Sequence, residues 1–452
     1  MSAPAHTTLV VATPAQKRTI WRNMWKQWEQ PKGVSWDECA AYYAKGDALD
    51  ACRDGRATYW ALVNRSDPEH EDVLASTRTI RRDAKTLKDG QARDVTSYVI
   101  TAVVTPPHHR STPRRPCQKG YATHMLSLLH YALSLPSPSL PPFPTAEFGQ
   151  PPAPHYSPRN ATFATLWSDV GRAFYRAIRI GGHGERSREG WVVRADQEVR
   201  CELPPPLQEE SAAHASALPR GWQSVSSVSE IPSDLLTTLS LHTLTAVSHH
   251  PTKSGKTLAF DAPTSPGIID YSIARSARFT PRDVLERNGG QIHHVYINET
   301  TTPPSLAILV PTYTPKEPAT LKISYLSLPL PASETTTPHV VALHKDLIAL
   351  LYSRARAYSC SHIEGWELPQ PLIDAWRVWA EQHKGTTLVV HTREEHLGAL
   401  VWYGDGEQGP SEKEEVVMLG GQLCVFSFLC LLFCYASDGR LRGANSLFLG
   451  AE

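Results

Sequence analysis

Apolar residues at Ile20, Trp21, Met24, Trp25 and Trp28 recur at helical spacing and give one broad aromatic face. Ahead of them stands Thr13-Pro14-Ala15-Gln16, a capping box with proline at the first helical position. The pattern predicts a helix whose stripe is core, with some rings available to wall a substrate pocket. Short apolar or alternating runs predict strands at 9–12, 57–63, 72–79 and 97–104. The last run is the most apolar, which suits a central strand buried on both faces. Residues 121–133 then place Met125, Leu128, Leu129 and Ala132 on one side of a second helix.

Nine prolines between 134 and 160 exclude regular structure and predict a loop. A strand at 161–167 and a short helix reaching Tyr175 resume the pattern. From 201 to 232, Pro204-Pro205-Pro206 and a serine cluster read as a domain boundary. The second half repeats the rhythm: strands at 292–297, 306–310 and 321–328, helices at 341–358 and 372–380, and strands at 387–391 and 397–403. A degenerate copy of the first half is one reading of that order.

Composition changes this picture little. Forty-five basic residues balance forty-five acidic ones, so net charge gives no reason to expect nucleic acid or an anionic membrane as partner. Eight cysteines contain no C-x-x-C pair, which argues against a disulfide scaffold and a zinc ribbon. The first residues show no basic region followed by an apolar core, so a reduced, soluble, cytoplasmic protein is expected. Histidine pairs at 108–109, 249–250 and 293–294 lack the spacing of a helical metal site, and no metal is expected.

The chemistry is concentrated in Val103-Val104-Thr105-Pro106-Pro107-His108-His109-Arg110, followed by Lys119-Gly120-Tyr121-Ala122 at the start of the second helix. A strand, an arginine, a glycine turn and a helix N-terminus together make an anion cradle, because first-turn amides point outward and the helix dipole favours negative charge. Taken alone, a K-G-x-A turn is also a plain helix start.

This segment resembles the acetyl-CoA motif R/Q-x-x-G-x-G/A of the GNAT acetyltransferases. A second segment, Ser168-Asp169-Val170-Gly171-Arg172-Ala173-Phe174-Tyr175 followed by Gly190-Trp191, resembles that family's N-x-x-A-x-x-aromatic-Tyr and Gly-aromatic elements, with Ser168 and Gly171 as departures. Its wording, and Thr-Pro-Pro-x-His-Arg before Lys-Gly-Tyr-Ala, is similar to the fungal lysine N6-acetyltransferases of lysine catabolism. The resemblance covers most of residues 9–405, with its specific motifs in the first half.

It implies an α/β (α+β) GNAT fold, a mixed sheet splayed at its central strand and flanked by helices, with a second GNAT-like C-terminal domain. The expected division is 1–200 catalytic, 201–232 linker, 233–408 C-terminal domain without a cofactor loop, and 409–452 an atypical apolar tail. Val103, Val104 and Thr105 would meet pantetheine, and Lys119, Gly120, Tyr121 and Ala122 the pyrophosphate. Arg110 stands where the motif's basic residue belongs, and Ser168 among the cofactor contacts. Tyr175 would donate a proton to the leaving thiolate. The implied reaction moves acetyl from acetyl-CoA, as co-substrate, to the ε-amino group of free L-lysine. Alternatives are another amine acceptor, such as a polyamine or a protein N-terminus, and a catalytically inactive GNAT-fold binding protein.

Three features depart from the family pattern. Residues 111–118 separate Arg110 from Lys119; extra residues including Gly181-Gly182-His183-Gly184 separate Tyr175 from Gly190; and 416–436 is a 21-residue uncharged tract containing Cys424, Cys430 and Cys434. The tract is long enough to span a bilayer, but the flanking charges oppose the positive-inside bias. It reads as the product of misplaced exon boundaries, as a membrane anchor, or as a buried terminal strand. In the second half, Pro329-Leu330-Pro331-Ala332-Ser333-Glu334 has no glycine to admit a phosphate, so that copy would close the acceptor site rather than bind cofactor.

Overall fold

The computed structural model describes residues 6–404 and 416–418, except 111–119, 137–139, 157, 169, 183–186, 194–196, 206–217, 226–229, 232–233, 239–256, 262–266, 278, 292–293, 303, 314–317, 330–337 and 395–396. After β1 (Thr7–Val11), the capping box forms as expected: the Thr13 side chain accepts from the Gln16 amide and the Gln16 side chain accepts from the Thr13 amide. It starts α1 (Pro14–Met24), which buries Ile20 and Met24 and runs on into a wider turn at Trp25–Glu29. α2 (Trp36–Asp47) has no counterpart among the sequence expectations. Its inward face is only Cys39 and Tyr43, and its clearest sign is Ser35, whose hydroxyl accepts from the Glu38 amide.

Then come β2 (Ala57–Asn64), β3 (Ala75–Lys88) and β4 (Gln91–Val104). β3 and β4 have 14 residues each, far longer than the apolar runs that announce them. Beyond Thr79 the chain is polar, yet Ile80, Arg82, Ala84 and Thr86 still alternate inward, and Asp89-Gly90 closes the hairpin with both φ angles positive. α3 (Tyr121–Leu133) has the bounds its periodicity predicts. The proline-rich segment, expected to be loop, holds one turn of α-helix, α4 (Thr145–Phe148), and a tighter helical turn at Pro154–Tyr156. β5 (Phe163–Ser168), α5 (Arg172–Arg176), β6 (Arg179–Ile180), β7 (Arg188–Glu189), β8 (Val192–Val193) and β9 (Gln197–Glu202) complete the first half.

The second half contains β10 (Trp222–Val225), β11 (Thr257–Asp261), α6 (Ile268–Ala277), α7 (Arg282–Arg287), β12 (His294–Asn298), β13 (Ser305–Thr312) and β14 (Thr320–Ser327). It continues with α8 (Pro338–Ala357), β15 (His362–Trp366), α9 (Gln370–Gln382), β16 (Thr387–Thr392), β17 (Leu397–Trp402) and β18 (Val416–Met418). No helix among the described residues is long and apolar enough to cross a membrane. Of the apolar tail tract, only Val416–Met418 is described, as a strand parallel to β11; the rest lies outside the described residues.

These elements form two mixed sheets of the same design. The first has the order β1-β2-β3-β4-β5-β17-β8, with β11 added along β3 and β18 along β11. The second has the order β10-β12-β13-β14-β15-β9-β16. In each, four strands pair antiparallel, a fifth pairs parallel to the fourth, and the next strand is antiparallel.

That next strand comes from the other half of the chain. β17 pairs with β5 over Leu397↔Ser168 to Trp402↔Phe163, and β9 pairs with β15 over Glu202↔His362 to Glu198↔Trp366. The sheets therefore do not divide where the sequence places its linker: residues expected in the 233–408 unit complete the first sheet, and β9, from the first half, completes the second.

One buried cluster joins the two sheets. Val99, Phe163, Trp167 and Leu400 of the first sheet share it with Ile297, Ile308, Tyr325 and Trp366 of the second. Helix α6 packs into the same cluster through Ile268, Ile269 and Tyr271, entering at Gly267, whose φ is +65°. A methyl group there would lie 2.6 Å from the Ala51 backbone nitrogen and 2.7 Å from the Asp50 Cβ. Gly267→Ala should therefore destabilise the chain by about 3 kcal/mol, combining backbone strain with a backbone clash. Thermal unfolding checks this, with a midpoint several degrees lower as the expected result.

Candidate active site

The parallel pairing of β4 and β5 is only three residues long: Ser97↔Phe163, Tyr98↔Ala164 and Val99↔Thr165. β4 continues to Val104, still held by β3, while β5 continues to Ser168, held by β17. Between Ile100–Val104 and Leu166–Ser168 no further pairs form, so the two strands open into a fork at the centre of the sheet.

A bulge sharpens the opening. Ser76 lies opposite Val104 but Arg78 lies opposite Thr101, so Ala102 and Val103 face one residue of β3, and Ala102 takes φ +55°. The β5-facing edge of β4 is thus left with main-chain groups that need partners. A thin chain bearing amides, such as pantetheine, fits that edge as a substitute strand.

The same strand leads to the anion cradle. Gly120 precedes α3 with φ +57°, a left-handed conformation in which glycine carries no Cβ penalty, and as the cap residue it has no side-chain oxygen to offer the helix. The turn thus stands at the positive end of a 13-residue helix, where first-turn amides have no partner within the helix itself. Lys119, assigned to the same turn, lies outside the described residues, as does the 111–118 insert.

Arg110 is exposed and folds back on its own loop, its Nε donating to the Thr105 carbonyl at 2.6 Å and its Nη2 to Gln27 Oε1. That places the arginine beside Thr105 at the end of the fork. The loop is also braced by Asp72, whose Oδ1 lies 2.8 Å from His109 Nε2 and 3.3 Å from His108 Nε2. Partial burial pushes the Asp72 carboxyl up, but the two imidazole contacts outweigh it and hold the group below its ordinary value. Among the described residues, this is the one group of three with ligand atoms close enough for a metal, within 4.8 Å of one another. His109 also sets its ring edge-on to Tyr121, 6.0 Å away. The cluster therefore ties the β4–α3 loop to the start of β3.

At the other arm of the fork, the Ser168 hydroxyl accepts from the Val170 amide at 3.1 Å, turning the chain toward α5. Tyr175 is 4% exposed and packs edge-on to Trp191, with ring centroids 6.2 Å apart. Phe174 lies beside it at 4.9 Å. The Phe174-Tyr175 and Gly190-Trp191 elements, 15 positions apart in the chain, thus meet in space.

Glycine is required at 190 for a physical reason. A Cβ there would lie 2.7 Å from the Ile178 carbonyl oxygen and 2.8 Å from His130 Nε2. The Trp191 ring then lies tilted against His130, centroids 5.5 Å apart, and the other nitrogen of that histidine is 3.0 Å from the Tyr403 hydroxyl. Burial, and after it Arg188, lowers the His130 pKa to about 3, so this histidine is a neutral packing group. The extra residues between Tyr175 and Gly190 include the two-stranded β6–β7 hairpin, which stands outside both large sheets.

The second sheet opens in the same way, since β14 and β15 pair only over Thr320↔His362, Leu321↔Ile363 and Lys322↔Glu364. Side chains occupy its mouth. A Cβ on Gly365 would meet Leu368 at 2.8 Å and Ile323 at 3.1 Å, and the Lys322 ammonium donates to Glu364 at 2.9 Å. The segment 330–337, in which the sequence lacks a phosphate-admitting glycine, lies outside the described residues.

No family model matches the chain, and no curated protein matches it. Among solved structures it is similar to a GCN5-related N-acetyltransferase from Kribbella flavida, at 12% identity and TM-score 0.42, over 88% of this chain and 72% of that one. It is similar also to Eis1 from Mycobacterium abscessus, at 12% identity and TM-score 0.38, over 88% and 73%. A tandem GNAT protein from the clavulanic acid biosynthesis pathway matches at 10% identity and TM-score 0.39, over 89% and 99%.

Proposed function

We propose that the chain is an acyl-CoA-dependent N-acyltransferase of the GNAT kind, with acetyl-CoA as donor and the ε-amino group of free L-lysine as acceptor. The observation that carries this reading is the fork. β4 parts from β5 after Val99/Thr165, and α3, the next α-helix in the chain, opens at a left-handed glycine. A pantetheine arm along Val103, Val104 and Thr105 and a pyrophosphate on the amides after Gly120 use both features at once. The choice of acetyl and of lysine rests on the sequence resemblance, and a cytoplasmic location is part of the same proposal.

In the reaction, the neutral amine nitrogen forms a bond to the thioester carbonyl carbon, and the carbon–sulfur bond breaks. The amine loses a proton, and the departing CoA thiolate gains one. Lysine's ε-amino group has an unperturbed pKa of about 10.4, so the site must favour its neutral form by desolvation or by relaying the proton to a carboxylate. Main-chain amides freed by the Ala102 bulge are suited to hold the carbonyl oxygen as charge develops on it.

Tyr175 is assigned as the donor to sulfur, its ring locked between Phe174 and Trp191. Tyr175→Phe keeps the ring and removes the hydroxyl. Turnover should fall by about 10²-fold or more while acetyl-CoA affinity barely moves. Steady-state kinetics with calorimetric binding checks this, and near-normal turnover would leave Tyr175 as packing. Acetyl-CoA bound tightly with no acetylated amine in a screen of amino acids, polyamines and peptides would instead favour an inactive binding module.

A further inference from the structure

Just beyond β16 a buried arginine has no hydrogen-bond partner among the described residues. Arg393 is 2% exposed, and its Nε, Nη1 and Nη2 all lack an acceptor among the described residues. Its guanidinium carbon lies 3.6 Å from the centre of the Trp366 ring, so the plane of the fork is fixed by stacking. Among the described residues its ion-pair partner is Glu198, with Oε2 at 3.6 Å from Nε, close enough to balance charge and too far for a hydrogen bond. His391 Nε2 shares that carboxylate at 3.8 Å.

The other acid nearby is already committed. Glu364 accepts from Lys322 Nζ and from Trp366 Nε1, both at 2.9 Å. Burial, and after it Glu364, pushes the Glu198 carboxyl up, which weakens its hold as a permanent counter-ion. A buried guanidinium with its donors unmade is unfavourable unless something supplies oxygen atoms. A carboxylate, planar and bidentate, matches that fork.

The position of Arg393 connects it to the proposed reaction. It follows the last residue of β16, where the chain leaves the second sheet, and four residues later Leu397 pairs with Ser168 at the open end of β5. Four residues reach at most about 14 Å. Its stacking partner Trp366 belongs to the same buried cluster as Val99, Phe163 and Trp167, which flank the β4–β5 fork.

Resting on the acyltransferase reading above, we propose that Arg393, held flat on Trp366, binds the carboxylate of the acceptor, so that the acceptor class is a free amino acid rather than a polyamine. With the carboxylate clamped there, the far amine of a long, flexible side chain points back toward the thioester. Arg393 is in this account a specificity-determining residue, remote from the reacting atoms.

The test compares L-lysine with cadaverine, which has the same amine and chain but no carboxylate. The full-length wild type should prefer L-lysine by about 10²-fold in kcat/KM. Arg393→Gln should lower kcat/KM for L-lysine by about that factor and change the value for cadaverine less than threefold, with acetyl-CoA affinity intact. Equal use of both amines by the wild type, or an equal loss on both in the variant, would overturn the inference and leave Arg393 as the internal partner of Glu198. If Arg393→Gln does not fold, Arg393→Lys keeps the charge but loses the fork, and the same loss of discrimination is expected. If no amine is acetylated, the acyltransferase reading fails by itself. Calorimetric binding of L-lysine against cadaverine then still decides the carboxylate site, with equal or no binding counting against it.

Discussion

A chain ending at residue 396 should fail to form its N-terminal sheet, although it retains every residue of the proposed cofactor site. The cause is the exchanged strand. β17 is the partner of β5 across all six of its residues, and Leu397, Leu400 and Val401, together with Tyr403 just beyond it, are each no more than 5% exposed. Burying four such side chains contributes about 6–12 kcal/mol, comparable with the whole stability of a typical domain, about 5–15 kcal/mol. Without them β5 would become an unpaired edge, and the fork would have only one rigid arm.

A chain ending at Gln408 keeps β17 and loses, among the described residues, only the β18 pairing with β11, three residues long. It should fold and bind acetyl-CoA like the full chain. Circular dichroism and thermal unfolding of the two truncations check this contrast. A folded 1–396 protein would show that the exchanged strand is dispensable.

The second large effect is expected at Gly120. Its φ of +57° is accessible to glycine and is an outlier for a β-branched residue. Gly120→Val should shift the start of α3 and set a branched side chain where a pyrophosphate needs close backbone approach. Acetyl-CoA binding should drop below detection by calorimetry. The penalty for a left-handed non-glycine residue is about 1–2 kcal/mol, so the thermal transition should remain cooperative and move little. Unchanged affinity would remove the pyrophosphate from this turn.

Much of this arrangement is legible in the sequence, and the reasons differ by element. The α1 capping box and α3 were readable because local side-chain chemistry and a clean apolar period set them. The meeting of Phe174-Tyr175 with Gly190-Trp191 could be expected from motif order, and the close approach at Ile178 explains the glycine. β3 and β4 were read too short because apolar runs mark only the core-buried part of a long ribbon, while its outer half alternates in polar residues. The Asp89-Gly90 turn was the available signal for the rest.

Strand exchange has no local signature. β17 reads as an ordinary apolar strand, and nothing in Leu397–Trp402 names β5 as its partner rather than a neighbour from its own half. Arg393 was missed for a related reason. Within Thr392-Arg393-Glu394-Glu395 it looks like part of a solvated turn, and its burial comes with contacts to Trp366 and Glu198, both distant in sequence. Arg110 lies beside Thr105 at the end of the fork, whereas the assignments to Lys119 and to the 419–436 tract fall outside the described residues.

The central claim is that the β4–β5 fork carries acyl transfer from CoA to an amine, and direct product analysis tests it. Full-length protein is incubated with acetyl-CoA and L-lysine, and free CoA and acetylated lysine are both quantified by mass spectrometry. The account predicts one N6-acetyl-lysine formed for each CoA released, and no CoA release beyond background hydrolysis when the amine is omitted. Absence of any enzyme-dependent CoA release, with L-lysine or with any amine in the screen, would contradict it.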